Sequence, residues 1–376
     1  MDNLTHTLFG ATLARTPLGG AGRGTLPALL ISSNAPDVDI VAAMSGGTKT
    51  YLAWHRGPTH GPIGVVALAL ATAGLVWLGR AGFSRRWTHR PATDPSSADA
   101  SFAMLVGVSM IGVVLHVLMD LPTSYGTRLL SPFSWKWFAF DWLPIVDIYL
   151  MMGLGAGLIV GELTKASRRQ LAAIVLALMA ANYGVRAVAH AQAVTLAPQL
   201  FGQRFGEPCE PGNPTVERAL AAWPRENGQA ASTSGRTCLV EVAAVPTFMS
   251  PFRWRVIAQL SNGYELHDID VLDVRARSGS SADDAFWRRT IRYPNQWTPP
   301  TFVAATAPAA AVFLGFSRFP AARTFADPSG TTIVRWTDMR FVAGPSLRDE
   351  PRPPNIFNVL VQVDPSGRIV REELGK

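Results

Sequence analysis

The distribution of apolar positions divides the chain in two. In the first half, residues 62–79, 101–121, 142–161 and 170–190 are long runs almost free of charge. Each supplies the roughly 20 mostly apolar residues that a helix needs to cross a bilayer. Two earlier segments, 4–19 and 26–44, are shorter or interrupted by Asn34, Pro36, Asp37 and Asp39, and read as short spans or re-entrant helices packed against the others. Beyond about residue 195 the pattern changes to short alternating stretches. Residues 253–273 place Asn262-Gly263 between two such stretches, a hairpin signal, and 357–373 give a second hairpin about Asp364-Pro365-Ser366-Gly367. Residues 237–245 and 331–343 suit further strands, and 283–291 and 307–317 suit helices. The predicted fold is a membrane all-α bundle over 1–191, of about six transmembrane or re-entrant helices, followed over 200–376 by a small soluble α+β or mainly β domain. No internal repeat is visible, and the one biased tract is the Pro/Ser-containing linker 91–101.

Composition agrees with that division. A mean hydropathy of +0.16 with 16% charged residues fits a polytopic membrane protein carrying a soluble appendage. The net charge of +7 changes the picture only through its location. Arg80, Arg85, Arg86 and Arg90, then Lys165, Arg168 and Arg169, sit in short loops between apolar runs, so the charge carries topology and no nucleic-acid partner is expected. With those loops in the cytoplasm, the third span runs inward, the fourth outward, the fifth inward and the sixth outward. The soluble domain then lies on the extracytoplasmic side. Cys209 and Cys238, both in the second half, form a disulfide if that side is periplasmic and stay free thiols if it is cytosolic. The first apolar run begins at Leu4 without a basic stretch before it, so no cleavable signal peptide is expected.

This topology, drawn from apolar length and Lys/Arg placement alone, brings an unusual set of polar residues to one face of the membrane. His55 and His60 precede the third span, His116 and Asp120 close the fourth, and Asp141 and Asp147 open the fifth. His6, Asp37 and Asp39 fall on the same side. Ionisable side chains at membrane depth are costly and mark functional sites by default. His116 and Asp120, four apart on a helix, share one face and can share an ion; a carboxylate orienting a histidine is the ordinary alternative. Asp37 and Asp39, two apart in a chain broken by Pro36, face the same way if extended, whereas one helix cap needs only one acceptor. In the densest stretch, His55-Arg56-Gly-Pro-Thr59-His60, imidazoles favour zinc, and adjoining carboxylates admit manganese, iron or a pair of ions. Arg56 suits an anionic substrate group, or snorkels to the interface. Asp141 suits a helix cap, while Asp147 lies deeper and is a candidate catalytic residue beside Arg56 and Asp120. His89 and His267 read as solvated, and His190 as marginal.

The ordered motifs Thr5-His6-Thr7-Leu8-Phe9-Gly10, Ala35-Pro36-Asp37-Val38-Asp39, His55-Arg56-Gly57-Pro58-Thr59-His60, His116-Val-Leu-Met-Asp120 and Tyr125-Gly-Thr-Arg-Leu-Leu-Ser-Pro-Phe-Ser134 resemble the YdjM-like family of inner-membrane proteins, to which metal-dependent hydrolase activity is ascribed. The resemblance covers about the first 150 residues. It implies a multi-pass protein of the bacterial inner membrane with a metal site built from His6, Asp37, Asp39, His55, His60, His116 and Asp120.

The resulting expectation is a membrane hydrolase in which one or two divalent ions, zinc in the first place, activate water against a phosphoester or lipid-linked substrate. Two other classes compete. A metal or proton transporter also uses intramembrane His and Asp, but at several depths; a non-catalytic scaffold would hold a structural metal. The bilayer is the one partner the sequence implies.

Overall fold

The computed structural model describes residues 1–87, 98–164, 166–201, 215–216, 220–224, 237–273, 290–342 and 356–375. These divide into two compact units: residues 1–39 with 56–186, and 40–55 with 187–376.

The first unit is helical. Asp2 starts helix α1 (Asn3–Leu13) by accepting from the Thr5 amide at 2.9 Å and the Thr5 hydroxyl at 2.6 Å. After the 3₁₀ turn Pro17–Ala21 comes α2 (Thr25–Ser32), then a second 3₁₀ turn, Ala35–Ile40. Helices α4 (Pro62–Trp87) and α5 (Phe102–Asp120) pack along each other, α5 also packs on α2, and α1 packs on α2 and α6 (Ile148–Leu163). Strand β1 (Trp137–Ala139) lies in the connection before α6, and α7 (Arg168–Phe201) follows it. Phe9, Leu29, Leu105, Leu150 and Leu154 form the core that joins these helices.

Glycine decides how closely the elements approach. A Cβ at Gly112 of α5 would fall 1.9 Å from Ser32 Oγ on α2, and one at Gly61 would fall 1.8 Å from the Ser131 carbonyl. The first contact presses α5 onto the end of α2. The second seats the 55–62 turn on the 121–147 connection.

Among the described residues three helices are long and apolar enough to cross a membrane: Pro62–Arg80, Phe102–Asp120 and Arg168–Ala197. A pair bent by 87°, Pro299–Ala305 with Pro308–Phe316, makes a fourth only if counted as one broken span. Of the about six transmembrane or re-entrant helices expected, three or four are thus long and apolar enough to span. Segment 4–19 stops at Leu13 and 26–44 breaks after Ser32, where Asn34 and Pro36 interrupt the helix. Segment 142–161 becomes helical only at Ile148, because Pro144 precedes the Asp147 cap; its 16 residues are short of a full crossing.

The second unit is rich in sheet. Strands β2 (Thr215–Val216), β4 (Leu239–Pro246), β5 (Arg253–Leu260), β6 (Gly263–Asp270) and β7 (Ile291–Pro294) form one sheet in the order 2-4-5-6-7, and β3 (Ala221–Trp223) lies between β2 and β4 in sequence. Strands β8 (Pro320–Ala326), β9 (Thr332–Asp338), β10 (Asn358–Val363) and β11 (Ile369–Leu374) form a second, antiparallel sheet in the order 11-10-9-8. Alternation along β5 explains its two-sided burial. Trp254, Val256 and Ala258 join Ala189, Ala193 and Leu196 of α7 in one core, while Ile257 joins Phe319, Ala321 and Met339 in another. Both expected hairpins form, closing Leu260 on Gly263 and Val363 on Ile369.

Residues 291–294 are strand, not the end of a helix, since Tyr264 of β6 pairs with Tyr293; 283–289 lie outside the described residues. Two short helices follow, α8 (Pro299–Ala305) and α9 (Pro308–Phe316), the second packing on α3 (Val41–Trp54). Cys238 is disulfide-bonded, and Cys209 lies outside the described residues.

Adding a methyl group at Gly61 should destabilise the first unit by roughly 1–3 kcal/mol, the usual cost of overpacking. Thermal unfolding of Gly61→Ala in detergent should show a lowered Tm, and an unchanged Tm would contradict the close approach to Ser131.

Candidate metal centre

The polar residues of the first unit meet where α4 begins and α5 ends. Asp37, on the Ala35–Ile40 turn, His60, two residues before α4, and His116 and Asp120, in the last turns of α5, present four ligand atoms all within 4.8 Å of one another. His60 Nε2 is 3.3 Å from Asp120 Oδ2 and 3.8 Å from Asp37 Oδ1. His116 Nε2 is 3.5 Å from Asp120 Oδ2 and 3.6 Å from Asp37 Oδ1. Tetrahedral ligation through bonds of about 2.0–2.1 Å separates donors by about 3.3 Å, so these four atoms fit one small divalent cation.

Hydrogen bonds behind the cluster fix the direction of each imidazole. His116 Nδ1 lies 2.7 Å from the Ser33 carbonyl, which can only accept, so Nδ1 carries the proton and Nε2 turns a lone pair toward the carboxylates. His60 Nδ1 is 3.0 Å from Thr59 Oγ1, and the Thr59 hydroxyl donates to Asp39 Oδ2 at 3.2 Å. The relay from imidazole to hydroxyl to carboxylate likewise leaves His60 Nε2 facing the cluster. Among the described residues His116 Nε2 is buried without a hydrogen-bond partner. Lone pairs of two imidazoles turned toward two carboxylates in a dry site repel one another; a bound cation converts that repulsion into attraction.

Asp39 stands behind this group. Its Oδ2 accepts from the Arg56 amide at 2.7 Å, holding Arg56 in a left-handed conformation with φ of 51°. The Arg56 guanidinium turns inward. It reaches Asp120 Oδ1 at 3.0 Å, donates to Thr123 Oγ1 and the Gly126 carbonyl at 3.1 and 3.2 Å, and lies over the Tyr125 ring. The geometry is that of a residue orienting Asp120, so that Oδ2 faces the histidines. His6 stacks on His116 with ring centroids 3.8 Å apart, and its Nε2 is 3.4 Å from Asp120 Oδ1. The amino group of Met1 also pairs with Asp120 Oδ1. Both ring nitrogens of His6 are buried without hydrogen-bond partners among the described residues.

The other sequence candidates lie outside the four-atom group. His55 ends α3, stacks on Tyr51 at 4.4 Å and groups with the second unit, outside the four-residue cluster. Asp147 caps α6: its Oδ1 accepts from the Tyr149 and Leu150 amides, and its Oδ2 is 2.7 Å from Arg186. Both oxygens are thus committed to holding α6 and α7, which gives Asp147 a structural position. Asp141 is buried in the preceding connection with φ of 57°, the cap falling to Asp147 instead. His190 packs edge-on against Trp254. His267 is buried, not solvated, with Nδ1 3.1 Å from Thr290 Oγ1, because β6 is an interior strand; His89 lies outside the described residues. Ser33 and Thr123 are the contributors that sequence reasoning missed. A backbone carbonyl and a loop hydroxyl leave no pattern in a single sequence.

Comparison with known proteins agrees with the motifs. A family model described as YdjM inner membrane protein matches residues 1–193. The uncharacterized protein YfhP of Bacillus subtilis (strain 168) is 28% identical over 160 residues, which covers 40% of this chain and 43% of YfhP, so the match spans less than half of that relative. No solved structure matches significantly.

If the four atoms hold an ion, the purified protein should carry a divalent metal by elemental analysis. His116→Ala and Asp120→Ala should lose it, and His190→Ala and His267→Ala should retain it. Thr59→Val, which removes the support behind His60, should weaken metal affinity by roughly 10–100-fold in competition with a chelator.

Proposed function

This chain belongs to the YdjM inner membrane protein family, and we propose that it is a membrane-bound, metal-dependent hydrolase whose centre is the Asp37, His60, His116 and Asp120 group. The observation that carries the reading is the convergence of those four buried ligand atoms from three separate segments, with His116, His60 and Asp120 each backed by a hydrogen bond or ion pair from outside the group. When bound, a divalent ion supplies a Lewis acid that makes water a competent nucleophile near neutral pH. Zinc suits two imidazoles and two carboxylates, and manganese or iron are the alternatives.

The chain's own residues have distinct tasks. Asp37, His60, His116 and Asp120 bind the ion. Ser33, Thr59 and Asp39 hold the imidazoles in the ligating tautomer. Arg56 is a positioning residue that fixes the rotamer of Asp120, and its charge offsets that carboxylate's burial. His6, stacked on His116, limits rotation of that ring and excludes water from behind it. The substrate class that suits a cationic centre is an anionic ester, a phosphoester first.

The same reasoning orients the protein. Arg80, well along α4 from His60, and Arg168, the first residue of α7, are basic residues away from the site, and under the positive-inside rule they support an extracytoplasmic centre. The disulfide at Cys238 agrees with an oxidising compartment for the sheet-rich unit.

Purified wild type assayed against phosphoesters, lipids and peptides should turn over at least one class, with His60→Ala and Asp120→Ala at background. Metal retained without turnover would favour a structural ion, and metal flux in liposomes would favour transport; either result rejects the hydrolase.

A further inference from the structure

The segments that build the centre also record its depth. Leu118 sits between His116 and Asp120, about 200° around the helix from each, and is 52% exposed. Leu4, two residues before His6, is 55% exposed; Val38, next to Asp37, is 50% exposed; Ile63, three after His60, is 56% exposed. The four segments therefore carry a half-exposed aliphatic residue at the height of the buried site residue. Water is a poor neighbour for such a belt. In a chain whose α4 and α5 pass the length and hydropathy test for membrane crossing, the neighbour is lipid. The centre thus lies one side chain in from the acyl region or its boundary with the head groups.

The wall is thinnest at the Ala35–Ile40 turn. Of the four ligand side chains Asp37 is the one with surface exposed, at 8%, against 0% for His60, His116 and Asp120. Val38 is its neighbour in the chain and is half-exposed. A substrate that reaches the ion by this route passes an aliphatic residue first and a carboxylate second.

From this belt and this opening we infer that the substrate is an amphiphile delivered sideways from the bilayer: a phosphate-bearing head group on the ion, with its alkyl chain along the exposed aliphatic residues by Val38. The inference rests on the hydrolase reading for its chemistry and on the belt for its substrate class. In the reaction the oxygen of water bonds to phosphorus and the phosphorus bond to the leaving oxygen breaks. With a phosphodiester as substrate, the leaving oxygen departs with the bonding pair and takes up one proton of water through solvent, and the other proton stays on the new monoester.

The test compares dodecyl phosphate with ethyl phosphate on the full-length, metal-loaded protein in lipid nanodiscs, corrected for partition into protein-free discs. Dodecyl phosphate should bind at least about tenfold more tightly than ethyl phosphate, and the ratio should fall toward one in Val38→Ser and in Ile63→Ser, with metal content unchanged as the check on folding. Equal affinity for the two probes, or an undiminished ratio in both variants, overturns delivery from the bilayer and points to a water-borne anion. Dodecyl p-nitrophenyl phosphate separates the two readings. Its release of p-nitrophenolate supports both, and chain-dependent binding of dodecyl phosphate without that release rejects the hydrolysis while upholding the amphiphile.

Discussion

Two carboxylates and two imidazoles brought together in a dry, apolar surround repel unless something positive lies among them. That constraint shapes the first unit. Asp37, His60, His116 and Asp120 have almost no exposed surface, and the bonds from His116 to Ser33 and from His60 to Thr59 leave the Nε2 atoms of both imidazoles facing the carboxylates. The surrounding helices hold this arrangement against its own electrostatics. A divalent cation is the simplest agent that removes the conflict.

The support is local and specific. Ser33, just past α2, fixes His116 on α5, and the absence of a side chain at Gly112 lets those two helices touch. Asp39 holds the Arg56 backbone in a conformation it would not adopt alone, and Arg56 returns to Asp120. Gly61 lets the same turn rest on the Ser131 backbone. Each link runs between segments distant in sequence, so the site is a product of packing and not of any single motif. Asp147, equally buried and equally acidic, is of another kind: its neighbours are two helix amides and one arginine, with no imidazole turned toward it.

The apolar exterior has a parallel logic. Leu4, Val38, Ile63 and Leu118 would be anomalies on a water-soluble surface, and are ordinary at the height of a bilayer. The same short segments thus combine a polar interior with an aliphatic exterior.

Much of this was legible in the chain itself. Periodicity located α4, α5 and α7, because an uninterrupted apolar run long enough to cross a bilayer has few other uses, and it located both hairpins of the sheet-rich unit. The unusual placement of His60, His116, Asp37 and Asp120 marked them as a set. Tertiary structure decided the rest. It ended the first apolar segments early, since proline and capping chemistry outweigh mean hydropathy. It turned Arg56 inward and gave Asp147 to Arg186. A sequence reports which residues are costly to bury. Which neighbour meets the cost depends on distances of a few ångströms between segments that only folding brings together.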